Sequence, residues 1–560
     1  MILLLLTGYP PAHAQDFVSN AGTLVHARGG MVVSASPEAS AVGAAVLRAG
    51  GNAVDAALAT GFALAVTYPS AGNIGGGSYI LIRMADGRTT AIDARETAPA
   101  AAHRDMYVAP DGELRTEASL YGPLAGGVPG TVDGLLLALE RYGTFSREDI
   151  LRPAIAFARD GFLLHPRLAR AFRIYADQFR RYPSTWGVFA PGGVLPRGGT
   201  RWKQPDLASV LQRISAHGRD GFYRGETARL IAAAMRSDGG LITEEDLAAY
   251  TSVEREPLQG RYGRYDILSM PPSSSGGVVL LQMLGMIERA GRHGHPSGHA
   301  VAAQYMIEAM RRAFADRAIH LGDPAFHPVP TPRLLSPVWL DSLFISIDTT
   351  AATPSGELYR EQIQLHESPQ TTHYSVVDSR GNAVSVTTTI NSSYGSKYIV
   401  PGCGFLLNNE MDDFAVRPGL PNQFGLIGGE ANSIAAGKRM LSSMTPTIVM
   451  EGTEPRLILG SPGGSRIITT VLQVLMNVLD HGMALDTAIR HPRFHHQWYP
   501  DIVFTEKHAL TPAVRRLLIG RGYNIQSTSR FGRVDAILLR ADGSIMGCSD
   551  PRGFGAAISE

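Results

Sequence analysis

The segment from residue 370 to residue 391, QTTHYSVVDSRGNAVSVTTTIN, constrains the fold of this chain more than any other. Residues 372–377 and 383–390 are β-branched or aromatic with polar alternates, a pattern that predicts two strands. The five residues between them, DSRGN, are typical of a turn. In an antiparallel pair centred on Arg380, residues equally distant from the turn face each other, so Thr371 lies opposite Thr389. The sequence therefore predicts a hairpin with two threonine hydroxyls side by side at its open end.

Two facing threonines have a structural and a catalytic interpretation. Threonine is common in strands, so the hairpin alone favours two structural side chains in a β-ladder. The catalytic interpretation requires a base beside one hydroxyl, because a threonine hydroxyl is a weak nucleophile. Such a base is the threonine's own amine once the preceding peptide bond has been cut. Other parts of the sequence have to decide between the two.

The charge and size of the chain exclude little. With 51 basic and 50 acidic residues among 560, the net charge is +1, which gives no reason to expect nucleic acid or a charged membrane as a partner. A hydrophobic content of 44% with 62 glycines suits one large α/β body as well as three or four domains of about 150 residues. Only Cys403 and Cys548 could form a disulfide, and the sequence does not show whether they pair.

The first fourteen residues resemble the end of a secretory signal. An apolar run, Met1–Leu6, is followed by the small-x-small pattern Ala12-His13-Ala14, so we expect cleavage after Ala14 and a periplasmic or secreted protein. The run is much shorter than the ~20 residues that span a bilayer. No other stretch of about 18 uninterrupted apolar residues occurs, so we expect no membrane span in the mature protein.

Between residues 29 and 95 the sequence predicts a strand, two helices and a hairpin. Ser36 and Asn52 are suited to cap the helices, and residues 53–66 are apolar on nearly every face, which indicates a helix buried between layers. Arg95 follows the last strand and precedes a proline-containing loop. A guanidinium there can hold a carboxylate with two hydrogen bonds, although an ion pair with Glu96 is the simpler interpretation.

Residues 123–262 are mostly helical in pattern, and two later segments bear on the site. The serine run Ser273–Ser275 precedes a helix that begins near Val278, and no G-x-S-x-G motif accompanies it, so we expect helix capping and tightly packed glycines there. Residues 320–370 are rich in proline, serine, glycine and threonine without sustained periodicity. They predict a long loop that approaches the hairpin, where a processing site would be reachable.

Polar residues become dense after the hairpin. Residues 402–414 end in LLNNEMDDF, and Glu410 and Asp413, with Asn391 from the hairpin end, are suited to bind an ammonium group. A solvated acidic loop is the simpler interpretation of such a patch. Residues 418–429 are bounded by proline and glycine and suggest a mobile cover over a pocket. Ser442 and Ser443 add two adjacent hydroxyls before a strand at residues 447–450.

The sequence GSPGGS at residues 460–465 precedes an apolar helix at residues 466–481. Backbone N–H groups at a glycine-rich helix start carry partial positive charge and can stabilise an oxyanion. A phosphate loop is disfavoured because no lysine follows the glycines. His491, His495 and His496 lack a cysteine or carboxylate at metal-ligand spacing, so we expect structural histidines, no metal and no cofactor.

Together these residues resemble the γ-glutamyltransferase family of N-terminal-nucleophile hydrolases, from about Gly29 to Pro551. The family's motifs stand here as RETAP at 95–99, TTHY at 371–374, LNNEMDDF at 407–414, LSSM at 441–444, GSPGGSR at 460–466 and PRFHHQ at 492–497. The resemblance implies one α/β (α+β) body, a four-layer αββα sandwich, made as an inactive precursor that cuts its own Gln370–Thr371 bond. The implied products are a large subunit, residues 15–370, and a small subunit, residues 371–560, which stay together as a heterodimer.

The resemblance also implies a role for each motif residue. Thr371 matches the catalytic threonine, whose freed amine is the base for its own hydroxyl, and Thr389 matches the partner hydroxyl. Gly463 and Gly464 match the backbone pair of the oxyanion hole. Arg95, Ser442 and Ser443 match the groups that hold the glutamyl α-carboxylate, and Asn391, Glu410 and Asp413 match those that hold its α-ammonium group.

The implied reaction is γ-glutamyl transfer from glutathione and related compounds to water or to an amino acid or dipeptide acceptor. Two departures stand out: Phe424 occupies the place of a tyrosine common in the cover segment of bacterial members, which predicts looser gating, and relatives vary between amide and carboxylate at the position of Glu410. A related glutaryl or cephalosporin acylase would share the self-cleavage, but Arg95 and the two serines favour a free amino acid head. A noncatalytic periplasmic solute-binding protein is the alternative outside enzymes.

Overall fold

A computed structural model describes residues 18–291, 299–356 and 371–560 of the chain. The predicted signal at residues 1–14 and Gln370, on the amino side of the predicted cut, lie outside these residues. In chain order the strands are β1 Val25–Ala27, β2 Met31–Ser34, β3 Gly77–Arg83, β4 Thr89–Ala94, β5 Phe162–Leu163, β6 Arg201–Trp202, β7 Val253–Arg255, β8 Leu258–Tyr262, β9 Tyr265–Ser269, β10 Thr372–Val377, β11 Ala383–Thr389, β12 Thr447–Glu451, β13 Glu454–Leu459, β14 Phe494–His495, β15 Val503–Thr505, β16 Ile525–Ser527, β17 Asp535–Leu539, β18 Ile545–Ser549 and β19 Ala556–Ser559.

The described residues also form nineteen α-helices. They are α1 Pro37–Arg48, α2 Ala53–Thr67, α3 Thr116–Leu120, α4 Thr131–Tyr142, α5 Arg147–Asp160, α6 Pro166–Ile174, α7 Ala176–Arg180, α8 Pro183–Phe189, α9 Pro205–His217, α10 Asp220–Tyr223, α11 Gly225–Asp238, α12 Glu244–Ala249, α13 Gly276–Arg289, α14 Ala300–His320, α15 Thr331–Leu334, α16 Pro337–Ile345, α17 Arg466–Leu479, α18 Leu485–Arg490 and α19 Pro512–Gly520.

Two seven-stranded sheets form the centre of the fold. The first, here called the nucleophile sheet, has the order β19-β2-β10-β11-β3-β4-β7, and the second has the order β1-β18-β17-β13-β12-β9-β8. All strand pairs within the two sheets are antiparallel. Both sheets are covered on two faces, so their middle strands are buried along all or nearly all of their length, including their polar residues.

Four layers follow from where the apolar side chains point. Tyr79 and Leu81 of β3 face the second sheet and pack with Ile448 and Ile458, whereas Ile80 of the same strand joins the core beneath α1, α2, α4, α5 and α9. On the other side, α13, α14, α17 and α18 cover the outer face of the second sheet. The predicted αββα sandwich is confirmed.

The predicted hairpin is β10 and β11, at the middle of the nucleophile sheet. Its register pairs Thr372 with Thr388 and Val377 with Ala383, as a turn centred on Arg380 requires. β10 also pairs with β2, and β11 pairs with β3, so neither strand is an edge. Every residue of both strands is buried. The hairpin end is therefore held on both sides before any chemistry is considered.

The local predictions near the amino end are confirmed. The Ser36 side chain accepts a hydrogen bond from the N–H of Ala39 at the start of α1, and Asn52 forms a capping box with Asp55 at the start of α2. All fifteen residues of α2 are buried, as its uninterrupted apolar composition predicted.

The long loop predicted for residues 320–370 is wrong in part. Two short helices, α15 and α16, interrupt it. Each begins with proline in its first turn, and the Ser336 side chain accepts a hydrogen bond from the N–H of Trp339 to cap α16. Proline is common both in loops and at helix starts, and helices as short as α15 and α16 show little apolar periodicity, so the sequence pattern favours a loop. Residues 357–370 lie outside the described residues.

In each sheet, strands from before the predicted cut pair with strands from after it. In the nucleophile sheet, β10 and β11 lie between β2 and β3; in the second sheet, β8, β9 and β1 flank strands from residues 447–549. Ladder hydrogen bonds therefore join the two predicted pieces in both sheets. Among the described residues no helix is both long and apolar enough to cross a bilayer.

Candidate active site

The open end of the β10–β11 hairpin holds the two threonines side by side. The Thr371 hydroxyl donates a hydrogen bond to Thr389 Oγ1 at 3.2 Å. Thr389 Oγ1 also accepts a hydrogen bond of 2.8 Å from the backbone N–H of Asn391. Both threonines are buried. Because two donors occupy the Thr389 oxygen, it fixes the direction in which the Thr371 hydroxyl points.

The backbone of Thr371 is strained. Its φ is 109°, a region that β-branched residues rarely adopt and that costs about 1–3 kcal/mol. The next residue is fixed from the side, because Arg533 Nη2 donates a hydrogen bond of 2.8 Å to Thr372 Oγ1. The surrounding structure therefore holds Thr371 in a conformation that the residue would not choose.

One pocket gathers residues that the sequence marked in separate segments. It lies where the hairpin end meets the loop after β4, the loop before β12 and the start of α17. The predicted residues that line it are Arg95, Thr371, Thr389, Asn391, Glu410, Asp413, Ser442, Ser443 and Gly464. Gly463 precedes Gly464 directly. Their proximity is a structural fact, whereas the role of each residue remains a prediction.

Arg95 lies at the centre of the charged groups of this pocket and is 1% exposed. Its Nη1 is 2.6 Å from Glu410 Oε2 and 3.6 Å from Glu96 Oε2, and its Nη2 is 2.5 Å from Asp413 Oδ2. Its Nε donates to the carbonyl of Met440 at 3.1 Å. Burial opposes the charge, but Glu410, Glu96 and Asp413 outweigh burial and raise the pKa of Arg95. Arg95 is therefore a charged group held among three carboxyl groups.

Burial opposes ionisation of two of these carboxyl groups. Burial raises the pKa of Glu96 to about 8, although the charge of Arg95 opposes the shift. Burial likewise raises the pKa of Glu410 well above its usual range, again against Arg95. In both groups the effect of burial exceeds that of the neighbouring guanidinium, so the folded protein favours the protonated form more than water does.

Replacing Glu96 with glutamine is expected to flatten the pH dependence of stability. A carboxyl group with a raised folded-state pKa contributes stability that is complete below about pH 4.5 and is lost as the pH rises through about 8. The amide does not titrate, so between those values the free energy of unfolding of Glu96→Gln should fall less than that of the wild type. Urea denaturation at several pH values measures this. The exposed carboxyl of Glu113 supplies the matched control, Glu113→Gln; equal slopes for both variants would contradict the assignment.

The serine run before α13 braces the loop that carries Ser442. The N–H and the hydroxyl of Ser275 both donate to the Ser442 carbonyl, at 2.8 Å and 2.6 Å, and the Ser442 N–H donates to the Ser273 carbonyl at 3.1 Å. The predicted tight glycine packing is confirmed, because a Cβ on Gly276 would lie 2.6 Å from the Met444 carbonyl oxygen. The predicted cap is present but comes from Ser274, whose Oγ accepts a hydrogen bond of 3.1 Å from the N–H of Gly276 at the start of α13. Ser275 does not cap the helix, because its hydroxyl binds the Ser442 carbonyl instead.

Arg317 also lines the pocket, and the sequence analysis did not assign it. It lies on α14 among three arginines, Arg311, Arg312 and Arg317, that no spacing or motif distinguishes. Only the tertiary structure shows that Arg317 faces the pocket, whereas Arg311 and Arg312 form ion pairs with Glu308.

The loop before α17 presents two adjacent backbone donors. Gly463 has φ 132° and Gly464 has φ 56°. Among the hydrogen bonds of the described residues, neither glycine N–H has an acceptor, whereas their carbonyls accept from the N–H groups of Arg466 and Ile467 at the helix start. Unpaired N–H groups at the positive end of a helix dipole suit an oxyanion.

Replacing Gly463 with alanine is expected to lower turnover about 100-fold while leaving the fold intact. A Cβ there has no atom closer than 3.8 Å, so the variant suffers no clash, but φ 132° is strained for alanine and the N–H should turn away. Steady-state kinetics with a thermal melt measure both effects. Gly87→Ala is the matched control, because Gly87 has φ 99° in open space on the surface. Similar losses of turnover in the two variants would contradict the oxyanion role.

The predicted cover segment, residues 418–429, lies over this loop. A Cβ on Gly464 would be 2.7 Å from Phe424 Cδ1. The Phe424 carbonyl accepts a hydrogen bond of 3.0 Å from Gln497 Nε2, and Ser392 Oγ donates to Gln423 Oε1 at 2.7 Å. The segment is therefore attached through neighbouring groups although Phe424 has no hydroxyl. Looser gating remains a prediction.

The remaining candidates are structural in their contacts. His495 hydrogen-bonds Thr469 and Gln497, and His496 contacts Asp501. Within the described ranges, no three His, Cys, Asp or Glu side chains are arranged to hold a metal ion. Cys403 and Cys548 are both buried and unpaired.

Comparisons with known proteins agree with this arrangement. A family model described as "Gamma-glutamyltranspeptidase" matches residues 39–559. The chain is 46% identical over 529 residues to the glutathione hydrolase proenzyme of Escherichia coli strain K12, which covers 94% of this chain and 91% of that protein.

Solved structures of two kinds resemble the fold. The crystal structure of a cephalosporin acylase from Bacillus halodurans aligns with a TM-score of 0.83 at 26% identity, covering 100% of this chain and 99% of that one. The γ-glutamyltranspeptidase of Helicobacter pylori aligns with a TM-score of 0.57 at 40% identity, covering 59% of this chain and 95% of that one.

Proposed function

This chain belongs to the γ-glutamyltranspeptidase family, and from that premise we propose that it is a self-cleaving γ-glutamyltransferase and glutathione hydrolase. The observation that carries the proposal is the single pocket in which Thr371, two unpaired backbone donors and a group of charged side chains meet. In acyl transfer, the hydroxyl can act as the nucleophile, the backbone donors can stabilise an oxyanion, and the charged side chains can bind the substrate.

Self-cleavage is the first step that we propose. Thr371 Oγ attacks the carbonyl carbon of Gln370, the C–N bond breaks, and the proton of the hydroxyl passes to the departing nitrogen, which becomes the free amine of Thr371. Water then hydrolyses the resulting ester and leaves a carboxylate on Gln370. Two features support this step: the hydrogen bond to Thr389 directs the hydroxyl, and the strained φ of Thr371 raises the energy of the uncut chain.

The freed amine then completes the catalytic group. It takes the proton of the Thr371 hydroxyl as Oγ attacks the γ-amide carbon of a donor such as glutathione, and it gives a proton to the departing amine. The oxyanion formed in this step is placed toward the N–H groups of Gly463 and Gly464. A γ-glutamyl ester on Thr371 remains, and water or the amine of an amino acid or dipeptide removes it.

The charged residues fix the other end of the donor. Arg95, Ser442 and Ser443 suit the α-carboxylate, and Asn391, Glu410 and Asp413 suit the α-ammonium group. Opposite charges held at one end leave the γ-carbonyl over Thr371, and such positioning accounts for several kcal/mol of a typical enzyme's barrier reduction, on the order of 7–11 kcal/mol at best.

A glutaryl or cephalosporin acylase remains the second candidate because of the similarity to the Bacillus halodurans acylase structure. A glutaryl group has the shape of a γ-glutamyl group without the α-ammonium. Glu410 and Asp413 would then share the cation Arg95 without an ammonium group from the substrate, which disfavours this substrate class.

The test is to incubate purified protein with glutathione, with and without glycylglycine, and to identify the products. We expect glutamate and cysteinylglycine from hydrolysis, and γ-glutamyl-glycylglycine when the acceptor is present. A parallel incubation with glutaryl-p-nitroanilide should release little anilide. Anilide release from the glutaryl donor without glutathione cleavage would favour the acylase, and unchanged glutathione with one uncut chain would favour a binding protein.

Two further proposals concern the mature form. We propose that the subunits of residues 15–370 and 371–560 remain one heterodimer. Strands of one predicted subunit pair with strands of the other in both sheets, which supports this proposal. We also propose export with cleavage after Ala14, supported by the sequence of residues 1–14. The mass of each polypeptide in protein purified from the native host tests both; a large subunit that still begins at Met1 would contradict export.

A further inference from the structure

Arg317 is a second buried guanidinium in the pocket, and it has different neighbours from Arg95. Its side chain is 4% exposed. Nε donates to Ser275 Oγ at 3.0 Å and Nη2 donates to Ser443 Oγ at 3.3 Å. Among the described residues, no carboxylate oxygen lies within 4 Å of its guanidinium, although Asp413 acts on it from farther away. A buried charge without a close partner is unusual, because removing an ion from water is costly when no opposite charge lies beside it.

Arg95, by contrast, has carboxyl groups in direct contact with its guanidinium. It contacts Glu410 and Asp413 directly and has Glu96 at 3.6 Å. Its Nε donates to the Met440 carbonyl and its Nη2 donates to Asp413. An α-carboxylate entering this pocket therefore shares Arg95 with the carboxyl groups already beside it, and Arg317 supplies a second positive charge.

The hydrogen bonds of Arg317 reach both serines predicted to hold the α-carboxylate. Ser275 accepts from Arg317 and donates to the Ser442 carbonyl, which links Arg317 to the backbone of Ser442. Ser443 Oγ accepts from Arg317, and its own hydrogen has no acceptor among the described residues. A hydroxyl whose oxygen is occupied by a cation is left as a donor toward the pocket.

We propose that Arg317 is a positioning residue for the α-carboxylate of the γ-glutamyl donor. It turns the Ser443 hydroxyl toward that carboxylate, holds the Ser442 loop through Ser275, and supplies a second positive charge besides that of Arg95. The proposal rests on the proposed function, because it assumes a donor with an α-carboxylate. A purely structural Arg317 would brace the serine loop without regard to the charge of the donor.

The test compares two anilide donors on two enzymes. γ-Glutamyl-p-nitroanilide and 4-aminobutyryl-p-nitroanilide differ only in the α-carboxylate, and enough enzyme is used that anilide release from the second is measurable. We expect Arg317→Gln to raise KM for the first donor about 10- to 100-fold with a smaller change in kcat, the factor that loss of a charged hydrogen bond gives. For the second donor, kcat/KM should change less than about twofold. Arg317→Lys should recover part of the loss, since it keeps the charge.

Arg312→Gln is the matched control. Arg312 lies on the same helix, is 8% exposed, and binds Glu308 and Ser346 away from the pocket. The Arg312→Gln variant should have lower thermal stability, and its kcat/KM should change by the same factor for both donors. Equal losses for the two donors in Arg317→Gln would overturn the proposal and assign Arg317 a structural role. Variants Arg317→Gln and Arg317→Lys that both stay uncut would overturn it in favour of a role in processing.

Results with the wild-type enzyme test the γ-glutamyl assignment, and results with Arg317→Gln test the role of Arg317. If the wild-type enzyme releases no anilide from γ-glutamyl-p-nitroanilide, the γ-glutamyl assignment itself is wrong. If the wild type is active and discriminates between the donors, but Arg317→Gln discriminates equally well, only the role of Arg317 is wrong.

Discussion

Replacing Thr371 with alanine is expected to leave the chain as one uncut polypeptide and to lower turnover on the order of ten thousand-fold or more. The same hydroxyl is assigned both steps: it attacks the Gln370 carbonyl in the precursor and the γ-amide in the mature enzyme. Without it, the Thr371 amine stays locked in an amide and no covalent intermediate can form. A denaturing gel and anilide release from γ-glutamyl-p-nitroanilide measure the two losses.

Thr371→Ser is the control for this experiment. Serine keeps the hydroxyl and should still cut, more slowly, because it lacks the methyl group that restricts the threonine rotamer. The fold should survive both changes, since the hairpin is held by β2 and β3 on its two sides. An alanine variant that is cut and turns over normally would contradict the assignment of the nucleophile.

Replacing Arg95 with alanine is expected to affect both binding and stability. KM for γ-glutamyl donors should rise about 100-fold, because a buried charged partner of the α-carboxylate is lost. The free energy of unfolding should fall by about 3–5 kcal/mol, since Glu96, Glu410 and Asp413 lose their shared cation. Saturation kinetics and urea denaturation measure the two effects separately.

The stability loss of Arg95→Ala should depend on pH with a definite sign. Without the cation, the buried carboxyl groups bind protons still more tightly in the folded state. Stability from such groups is present at low pH and is lost as the pH rises through their folded-state pKa values. The free energy of unfolding of the variant should therefore be closest to that of the wild type at about pH 5. The difference should be largest at about pH 8, near the pKa of Glu96.

Arg255→Ala is the matched control for Arg95. Arg255 binds Asp93 at 2.9 Å at the outer edge of the nucleophile sheet, outside the pocket. Its loss should reduce stability modestly and leave KM unchanged. If Arg95→Ala and Arg255→Ala had the same KM, Arg95 would not be a substrate-binding residue.

Local patterns predicted the parts of the fold whose causes are local. The turn at residues 378–382 and the flanking β-branched residues determine the hairpin register, so the proximity of Thr371 and Thr389 was predictable from 22 residues. The same holds for α1 and α2, whose caps and apolar runs lie next to each other in sequence. Helices α15 and α16 were missed because proline serves both helix starts and loops.

The pocket was predictable only through motifs, because its residues converge from distant segments. No periodicity shows that Arg95 meets Asp413, which is 318 residues later in the chain. Arg317 was missed for the same reason, since its contacts with Ser275 and Ser443 depend on how α14 packs on the second sheet. The φ of Thr371 also depends on distant support, including the contact of Arg533 with Thr372.

Intact-mass spectrometry of enzyme quenched during turnover tests the central claim most directly. The account predicts two polypeptides, the smaller beginning at Thr371 and carrying one γ-glutamyl group in ester linkage to that residue. Fragmentation of the smaller polypeptide locates the group, and hydroxylamine should remove it, as it removes esters. A single uncut chain that is fully active, or a γ-glutamyl group on any residue other than Thr371, would contradict the account.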